Sequence, residues 1–153
     1  MNKILILDID GVLITNPSWK ADRIHSDGYS EFNESCVENL NRLLTLAEFD
    51  IWLSSTRRTV KTLTEFNLIF KNRGIKKQIF GFLPEYTNCR NRKEEVLKFI
   101  TEFKVSDFLI IDDDKSLNGL ESGIKERLIL TELTKGFNSE KLKEATERIK
   151  NCS

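Results

Sequence analysis

The chain has 153 residues, of which 39% are hydrophobic and 31% are charged, so it is most simply a single globular domain over residues 1–153 with a substantial core. Its 24 basic and 24 acidic side chains cancel, which excludes polyanion binding by bulk charge and leaves only a local patch for it. No run approaches the ~18 apolar residues of a transmembrane helix, which argues against a membrane-bound protein.

Apolar runs and helical patterns alternate along the chain. KILILDI is the first of five apolar runs typical of strands covered on both faces. Asn33 is a predicted helix cap, and Gly74 is predicted to end a helix. The predicted elements are a strand over 3–9, a helix over 33–47, a strand over 49–55, a helix over 59–73, a strand over 78–83, a helix over 92–103, strands over 107–112 and 127–131, and a helix over 138–150.

This alternation predicts βαβ units, and therefore an α/β fold: a Rossmann-like three-layer α/β/α sandwich with a five-stranded parallel sheet. Ligands of such sheets bind beyond the carboxyl ends of the strands. The predicted strand ends carry acidic, hydroxyl and basic side chains, and we expect them to meet in one crevice. They are Asp8 and Asp10 after the first strand, Ser54 to Arg58 after the second, Arg90, Arg92 and Lys93 after the third, and Asp112 to Asp114 after the fourth.

Several carboxylates in one crevice repel each other and require a cation. A site of oxygen ligands suits Mg²⁺, which prefers carboxylates and water and leaves room for a phosphate oxygen. The neighbouring arginines suit a phosphate, because a guanidinium binds phosphate through two parallel hydrogen bonds. The strand ends therefore predict a site for a metal ion and a phosphate.

The segment Asp8-Ile9-Asp10-Gly11-Val12-Leu13 resembles the DxDG[VT]L signature of the haloacid dehalogenase (HAD) superfamily of phosphotransferases. The later motifs of that superfamily follow in order: IWLSS as a strand ending in Ser, Lys93 as the basic residue, and IIDDD as paired acids after an apolar strand. The resemblance covers nearly the whole chain.

A narrower likeness is also visible. Ser55-Thr56-Arg57 is similar to the [ST]-x-R element in the phosphatase domains of polynucleotide kinase–phosphatases, although Thr56 stands where Gly or Trp is expected. RKEEVLKFI is similar to their lysine-led helix. The combination of these motifs with the run of three acids also resembles the HAD-type domains of "Swiss army knife" RNA repair proteins.

The resemblance implies a role for each motif residue. Asp8 would attack phosphorus and form an aspartyl-phosphate, and Asp10 would act as general acid and base. Ser55 would donate a hydrogen bond to a phosphoryl oxygen, and Lys93 would neutralise Asp8 and bind the same phosphate. Mg²⁺ would be held by Asp8, by the backbone carbonyl of Asp10, and by Asp112 or Asp113.

Some assignments remain open in the sequence. Ser54 is the alternative phosphate ligand to Ser55, because strand ends are uncertain by a residue or two. Asp114 is either an acid behind the metal ligands or a helix start. The substrate-binding set is completed by Gly11, which also allows a tight turn, and by Arg57 and Arg92. Arg58 and Arg90 are expected to be solvated surface charges, and the same is expected of Arg92 if it does not bind substrate.

Three further side chains have a structural and a functional interpretation. His25, the only histidine, is expected at the surface and outside the catalytic machinery. Trp19 and Trp52 are expected to be packing residues, with stacking on a nucleobase as the alternative for Trp19.

The two positions at which HAD proteins insert a cap domain are short in this chain. About twenty residues separate Leu13 from the helix at Asn33, and one strand and a short loop separate Gly74 from Lys93. We therefore expect an open site with little or no cap, which admits bulky substrates such as nucleic-acid ends. A basic rim is expected around it, from Arg57, Arg58, Arg90, Arg92 and Lys93.

The cysteines and the apolar start of the chain bear on its location. Cys36, Cys89 and Cys152 form no metal-binding spacing, and an odd number of cysteines without a secretory signal favours reduced thiols and a cytoplasmic protein.

The function predicted from these observations is Mg²⁺-dependent hydrolysis of phosphomonoesters through an aspartyl-phosphate. The partner is a phosphorylated substrate, and a 3′-phosphate at a nucleic-acid end or a nucleotide is preferred. The alternatives are a small-metabolite or phosphoprotein phosphatase, and a non-catalytic phosphate-binding module.

Overall fold

A five-stranded, fully parallel sheet with helices on both faces forms the protein in a computed structural model, which describes residues 2–17 and 19–151. The strands occur in the order β3-β2-β1-β4-β5, so β1 lies at the centre of the sheet. Their bounds are Lys3–Leu7 for β1, Phe49–Leu53 for β2, Ile79–Phe82 for β3, Phe108–Asp112 for β4 and Leu128–Leu130 for β5. The predicted fold class is confirmed.

Five α-helices connect or follow these strands. Their bounds are Glu34–Leu44 for α1, Leu63–Asn72 for α2, Arg92–Glu102 for α3, Ser122–Lys125 for α4 and Ser139–Asn151 for α5, and two 3₁₀ helices cover Thr56–Thr59 and Lys115–Gly119. Asn33 caps α1 by accepting hydrogen bonds from the backbone N–H groups of Ser35 and Cys36. Gly74 follows α2 with a φ of 82°, which is typical of the glycine after a helix. The prediction that Gly74 ends a helix is confirmed.

Each face of the sheet is covered by its own hydrophobic core. On one face, Leu5 and Leu7 of β1 belong to a core with α1, α2 and α5. On the other face, Ile6 packs in a core with Val96 and Phe99 of α3. The uninterrupted apolar run of β1 is therefore required, because successive side chains point into opposite cores.

The first two strands end two residues earlier than their apolar patterns predict. The N–H of Asp8 still donates to the carbonyl of Ile111 at 3.0 Å, but the next N–H, of Ile9, donates to the Asp8 carboxylate at 2.8 Å. In the same way, the N–H of Ser54 makes the last bond from β2 to β1, to the carbonyl of Leu7 at 2.8 Å. The chain turns away from the sheet where its polar residues begin.

The predicted helix over 59–73 is divided in the structure. Thr56–Thr59 forms a 3₁₀ turn, and α2 begins only after Thr62. Thr62 and Glu65 form a capping box, each bonding to the other's backbone N–H, which sets the start of α2. The short helices over 115–119 and 122–125 were not predicted, because they are too short to show a helical period.

The described part of the two insertion positions contains loops. Residues 15–33, apart from Ser18, form no α-helix, and Ile24 and Ser30 pair only through an isolated bridge. Residues 83–91 likewise contain no helix or strand. No helix within 2–17 and 19–151 is long and apolar enough to cross a membrane. Cys36 and Cys89 are free thiols, and Cys152 lies outside the described residues.

Candidate active site

Three carboxylates meet at the carboxyl ends of the two central strands. Asp8 directly follows β1, Asp112 is the last residue of β4, and Asp113 follows it. One oxygen of each lies within 4.8 Å of the others, and Asp8 and Asp112 are buried. Because β1 and β4 are hydrogen-bonded neighbours in register, their ends bring together residues more than a hundred positions apart. We call Asp8, Asp112 and Asp113 the acid cluster.

Gly11 is required where the chain turns over the acid cluster. Its φ is 76°, a backbone conformation that other residues rarely adopt, which confirms the predicted tight turn. A Cβ at this position would lie 2.1 Å from Oδ2 of Asp113. The Thr131 hydroxyl, just after β5, donates to the Gly11 carbonyl at 2.6 Å and holds the turn in place.

Burial and the neighbouring charge favour the protonated forms of two members of the acid cluster, Asp8 and Asp113. Burial raises the pKa of Asp8 well above its usual range, and the adjacent charge of Asp112 raises it further, while Arg92 acts in the opposite direction. Burial and the charge of Asp112 also raise the pKa of Asp113. The cluster is therefore short of positive charge. Three carboxylate oxygens at this spacing fit a hard divalent cation such as Mg²⁺.

Arg92 is the cation that contacts the acid cluster. Its side chain is buried, and its Nη1 donates to Asp112 Oδ2 and lies 3.8 Å from Asp8 Oδ2. Burial lowers the pKa of Arg92, but the charges of Asp112 and Asp8 outweigh this effect and raise it. The expectation that Arg92 is a solvated surface charge is wrong.

Lys93 lies one position along the helix and points elsewhere. Its backbone N–H donates to the Ser116 hydroxyl at 3.1 Å, and its side chain runs close to Gly119. No ion pair among residues 2–17 and 19–151 involves Lys93, so the place beside Asp8 that was predicted for it is occupied by Arg92. The helical period could have identified Arg92 as the inward-facing residue. It lies four residues before Val96 and seven before Phe99, which are both buried.

Arg58 is also buried, contrary to prediction, and it braces the site from behind. It donates to the carbonyls of Ser54 at 2.7 Å and Leu83 at 2.8 Å, and to the Glu95 carboxylate at 2.8 Å. Glu95 in turn lies 3.6 Å from Nε of Arg92. Arg58 thereby joins the ends of β2 and β3 to α3. Arg90, by contrast, is exposed as predicted and pairs with Glu94.

Asp10 lies at the mouth of the site and is held by Arg57. The Nε and Nη2 of Arg57 donate to the two carboxylate oxygens of Asp10 at 2.7 and 2.8 Å. Arg57 also donates to the Tyr29 hydroxyl at 3.0 Å and to Asp22 at 3.1 Å. The hydrogen bond to Asp10, and then the one to Tyr29, raise the pKa of Arg57 above its ordinary value, although burial acts in the opposite direction. With Arg58 and Arg92 buried and Arg57 paired, the predicted open basic rim is wrong.

The two serines after β2 have different surroundings. The Ser54 hydroxyl donates to Asp112 at 3.4 Å and accepts from Arg92 at 3.3 Å, so it belongs to the buried network. The Ser55 oxygen accepts from the N–H of Arg57 at 3.2 Å and caps the 3₁₀ turn. The hydroxyl proton of Ser55 is left without an acceptor among the described residues. Ser55 is therefore the serine with a free donor.

The remaining predicted residues have plain structural positions. Asp114 begins the 3₁₀ helix over 115–119 by accepting from the N–H of Ser116 at 2.9 Å, so its interpretation as a helix start is confirmed. His25 lies outside the acid cluster, 3.4 Å from Asp27. Trp52 packs against Phe99 and Phe103 as predicted. Trp19 is 83% exposed, so the expectation that it packs in the core is wrong.

Comparison with known proteins agrees with this geometry. The family model described as the HAD domain in Swiss Army Knife RNA repair proteins matches residues 4–142, which include all five strands except Lys3 and all members of the acid cluster. No curated protein and no solved structure matched the chain. The chain therefore belongs to the family of HAD domains in Swiss Army Knife RNA repair proteins, and this membership supports a phosphatase-like function of the HAD type.

Proposed function

We propose that the protein is a Mg²⁺-dependent phosphomonoester hydrolase that forms an aspartyl-phosphate on Asp8. The observation that carries the proposal is the acid cluster at the carboxyl end of a parallel sheet, in which the two buried carboxylates share one cation among the described residues, Arg92, and Asp113 forms no ion pair. Burying several carboxylates costs several kcal/mol unless they bind a cation. The excess negative charge is therefore best explained by a metal site.

Asp8, Asp112 and Asp113 would hold the metal, together with the backbone carbonyl of Asp10. The bound ion would offset the repulsion between an anionic nucleophile and an anionic phosphate. Asp8 is oriented for its role by the N–H of Ile9, which donates to Oδ1 at 2.8 Å and leaves Oδ2 to the metal or to phosphorus.

The chemistry proceeds in two balanced steps. In the first, an Asp8 oxygen forms a bond to phosphorus, the bond to the leaving oxygen breaks, and Asp10 gives that oxygen a proton. In the second, Asp10 takes a proton from water, which attacks phosphorus and releases Asp8. Asp10 suits both steps because its side chain is 44% exposed and can reach the substrate.

Ser55 and Arg57 flank the place of the phosphate in this proposal. The Ser55 hydroxyl, which has no acceptor among the described residues, donates a hydrogen bond to a phosphoryl oxygen. Arg57 binds both carboxylate oxygens of Asp10 in the free protein, and a phosphate that draws its guanidinium away would free this carboxyl group for proton transfer. Lys93 remains a predicted phosphate ligand. Arg92 contributes by balancing Asp8 and Asp112 rather than by a surface contact.

The proposed substrate is a 3′-phosphate at a nucleic-acid end. Two observations support it: the family is described by its occurrence in RNA repair proteins, and loops occupy the positions at which a cap would cover the site. An uncovered site accepts a polymer end as readily as a small molecule, so the choice of polymer rests on the family description.

Hydrolysis of p-nitrophenyl phosphate with and without Mg²⁺ tests the activity. We expect turnover that requires Mg²⁺ and is abolished by Asp8→Asn. Asp107→Asn is the matched control, because Asp107 lies beside the start of β4, at the opposite end of that strand from the acid cluster, and pairs with Lys3. No turnover of any phosphomonoester in a broad panel, together with binding of inorganic phosphate, would instead identify a phosphate-binding module.

A comparison of substrates tests whether the enzyme prefers a nucleic-acid end. We expect the rate constant kcat/KM to be higher for an oligonucleotide 3′-phosphate than for sugar phosphates or a phosphopeptide, and to fall in Arg57→Ala. Equal values for oligonucleotides and sugar phosphates would reject the nucleic-acid substrate while leaving the phosphatase intact.

A further inference from the structure

We propose that Trp19 stacks on a nucleobase of a single-stranded nucleic acid whose phosphorylated end lies at the acid cluster. This inference rests on the proposed function and specifies its substrate: a polymer with an unpaired end rather than a mononucleotide. Stacking on an aromatic side chain accepts every base, because each base has a π-face.

The first observation is the exposure of Trp19. At 83% it is the most exposed of the large hydrophobic side chains among residues 2–17 and 19–151. No aromatic or cation–π contact of the described residues involves its ring, whereas Trp52 packs against three phenylalanines. A side chain this large is normally buried at least in part, so an open position favours a ligand.

The second observation is the connection of Trp19 to the catalytic residues. Asp22, three positions further along, accepts from Arg57 at 3.1 Å, from Ser30 at 2.7 Å and from Asn16 at 3.1 Å. Arg57 in turn binds Asp10 through two hydrogen bonds. Because three residues of chain span at most about 11 Å, Trp19 is tied close to the mouth of the site.

The third observation is the charge that accompanies Trp19. Lys20 and Arg23 are exposed, and no ion pair within the described ranges involves either of them. Free cations beside an exposed aromatic ring are what a single-stranded polynucleotide requires, with phosphates on the cations and a base on the ring. A protein partner would use the ring but has no equal need for both cations.

Steady-state kinetics of Trp19→Ala test the inference. With a single-stranded oligonucleotide 3′-phosphate, we expect KM to rise about tenfold while kcat changes little, because the lost contact is remote from the reacting bond. KM for p-nitrophenyl phosphate and for a mononucleotide 3′-phosphate should stay within twofold of the wild-type value. Trp19→Phe keeps an aromatic ring and should restore most of the oligonucleotide KM.

The matched control is Ile24→Ala, which removes another exposed apolar side chain (63%) from the same loop. It should leave the oligonucleotide KM unchanged. An equal KM for the oligonucleotide in wild type and Trp19→Ala, with hydrolysis intact, would overturn the stacking inference but not the proposed phosphatase. The same loss with a phosphopeptide would also overturn it and point to a protein substrate.

A binding measurement keeps the inference testable without turnover. In an Asp8→Asn background, an unlabelled oligonucleotide should quench tryptophan fluorescence, and the quenching should weaken with added salt and disappear in Trp19→Phe. Quenching that survives in Trp19→Phe would contradict stacking on Trp19. No hydrolysis by the wild type, combined with Trp19-dependent quenching, would reject the phosphatase and retain the nucleic-acid contact.

Discussion

At the scale of single residues, the most informative difference is between Arg92 and Lys93. Adjacent basic residues at a helix start look interchangeable in a sequence, and motif order favours the lysine. In the structure a rotation of about 100° per residue separates them, and it is Arg92 that shares the buried face with Val96 and Phe99. The acid cluster is therefore balanced by a planar guanidinium, which can contact Asp8 and Asp112 together.

Arg92→Ala is expected to destabilise the metal-free protein strongly. It would leave Asp8 and Asp112 buried without a cation, at a cost of about 3 kcal/mol, or about 6–12 °C in Tm. Lys93→Ala should change Tm by no more than about 2 °C. Thermal unfolding in EDTA measures both. Equal losses in the two variants would show that the acid cluster does not depend on Arg92.

At the scale of elements, the loop before α1 is fastened to α2 by Arg73. Its guanidinium is almost fully buried and donates to Asp27 at 2.6 and 3.0 Å, and to the carbonyls of Ser30 and Tyr29 at 2.8 and 3.1 Å. The same loop carries Asp22, which contacts Arg57. The loop is thus bonded both to the end of α2 and to Arg57 beside the site, which a loop-forming sequence does not reveal.

The pair of Asp27 and Arg73 makes stability depend on pH. Hydrogen bonds from Arg73, and then from Asn72 and the N–H of Tyr29, hold the pKa of Asp27 well below its usual range. A group with a lowered folded pKa adds stability above its unfolded pKa of about 3.9, and that stability is lost as the pH falls towards the folded value.

Asp27→Asn should therefore lower the free energy of unfolding by about 1–2 kcal/mol at pH 7, and the difference from the wild type should shrink below pH 4. Urea unfolding at pH 7, 5, 4 and 3 measures it. Asp107→Asn, which breaks a pair with Lys3 in which Asp107 is 48% exposed, should cost less than about 0.5 kcal/mol. A difference for Asp27→Asn that is constant across this range would contradict the pKa shift.

At the scale of the whole molecule, a metal in the acid cluster would tie β1 to β4 and stabilise the complete fold. At a hundredfold excess over Kd, Mg²⁺ should add about 2.7 kcal/mol, or about 5–11 °C in Tm. Gly11→Ala should abolish this increase, since its Cβ would lie 2.1 Å from Asp113 Oδ2.

The control for Gly11→Ala is Gly28→Ala. Gly28 has a φ of 85°, so alanine there suffers a similar backbone strain, but its Cβ would meet nothing within 4 Å. Gly28→Ala should lower the Tm in EDTA yet keep the full rise on adding Mg²⁺. Loss of the rise in both variants, or its absence in the wild type, would count against a metal at Asp113.

The parts of this molecule that could be predicted are those set by periodicity and chain order. The five apolar runs predict the parallel sheet, and their polar ends predict that Asp8, Asp112 and Asp113 meet. The bidentate pair of Asp10 and Arg57 and the inward turn of Arg58 could not be predicted. They depend on side-chain conformations and on the 3₁₀ turn at Thr56–Thr59, which leave no periodic trace.

The central position of β1 has a consequence for the order of events during synthesis. Strand β1 must wait for β4, more than a hundred residues later in the chain, before it is paired on both edges. No fragment that stops short of β4 can contain a complete acid cluster, so a growing polypeptide cannot form the proposed metal site until β4 has emerged. Appearance of Mg²⁺ affinity during refolding would consequently mark the moment at which the two halves of the sheet join.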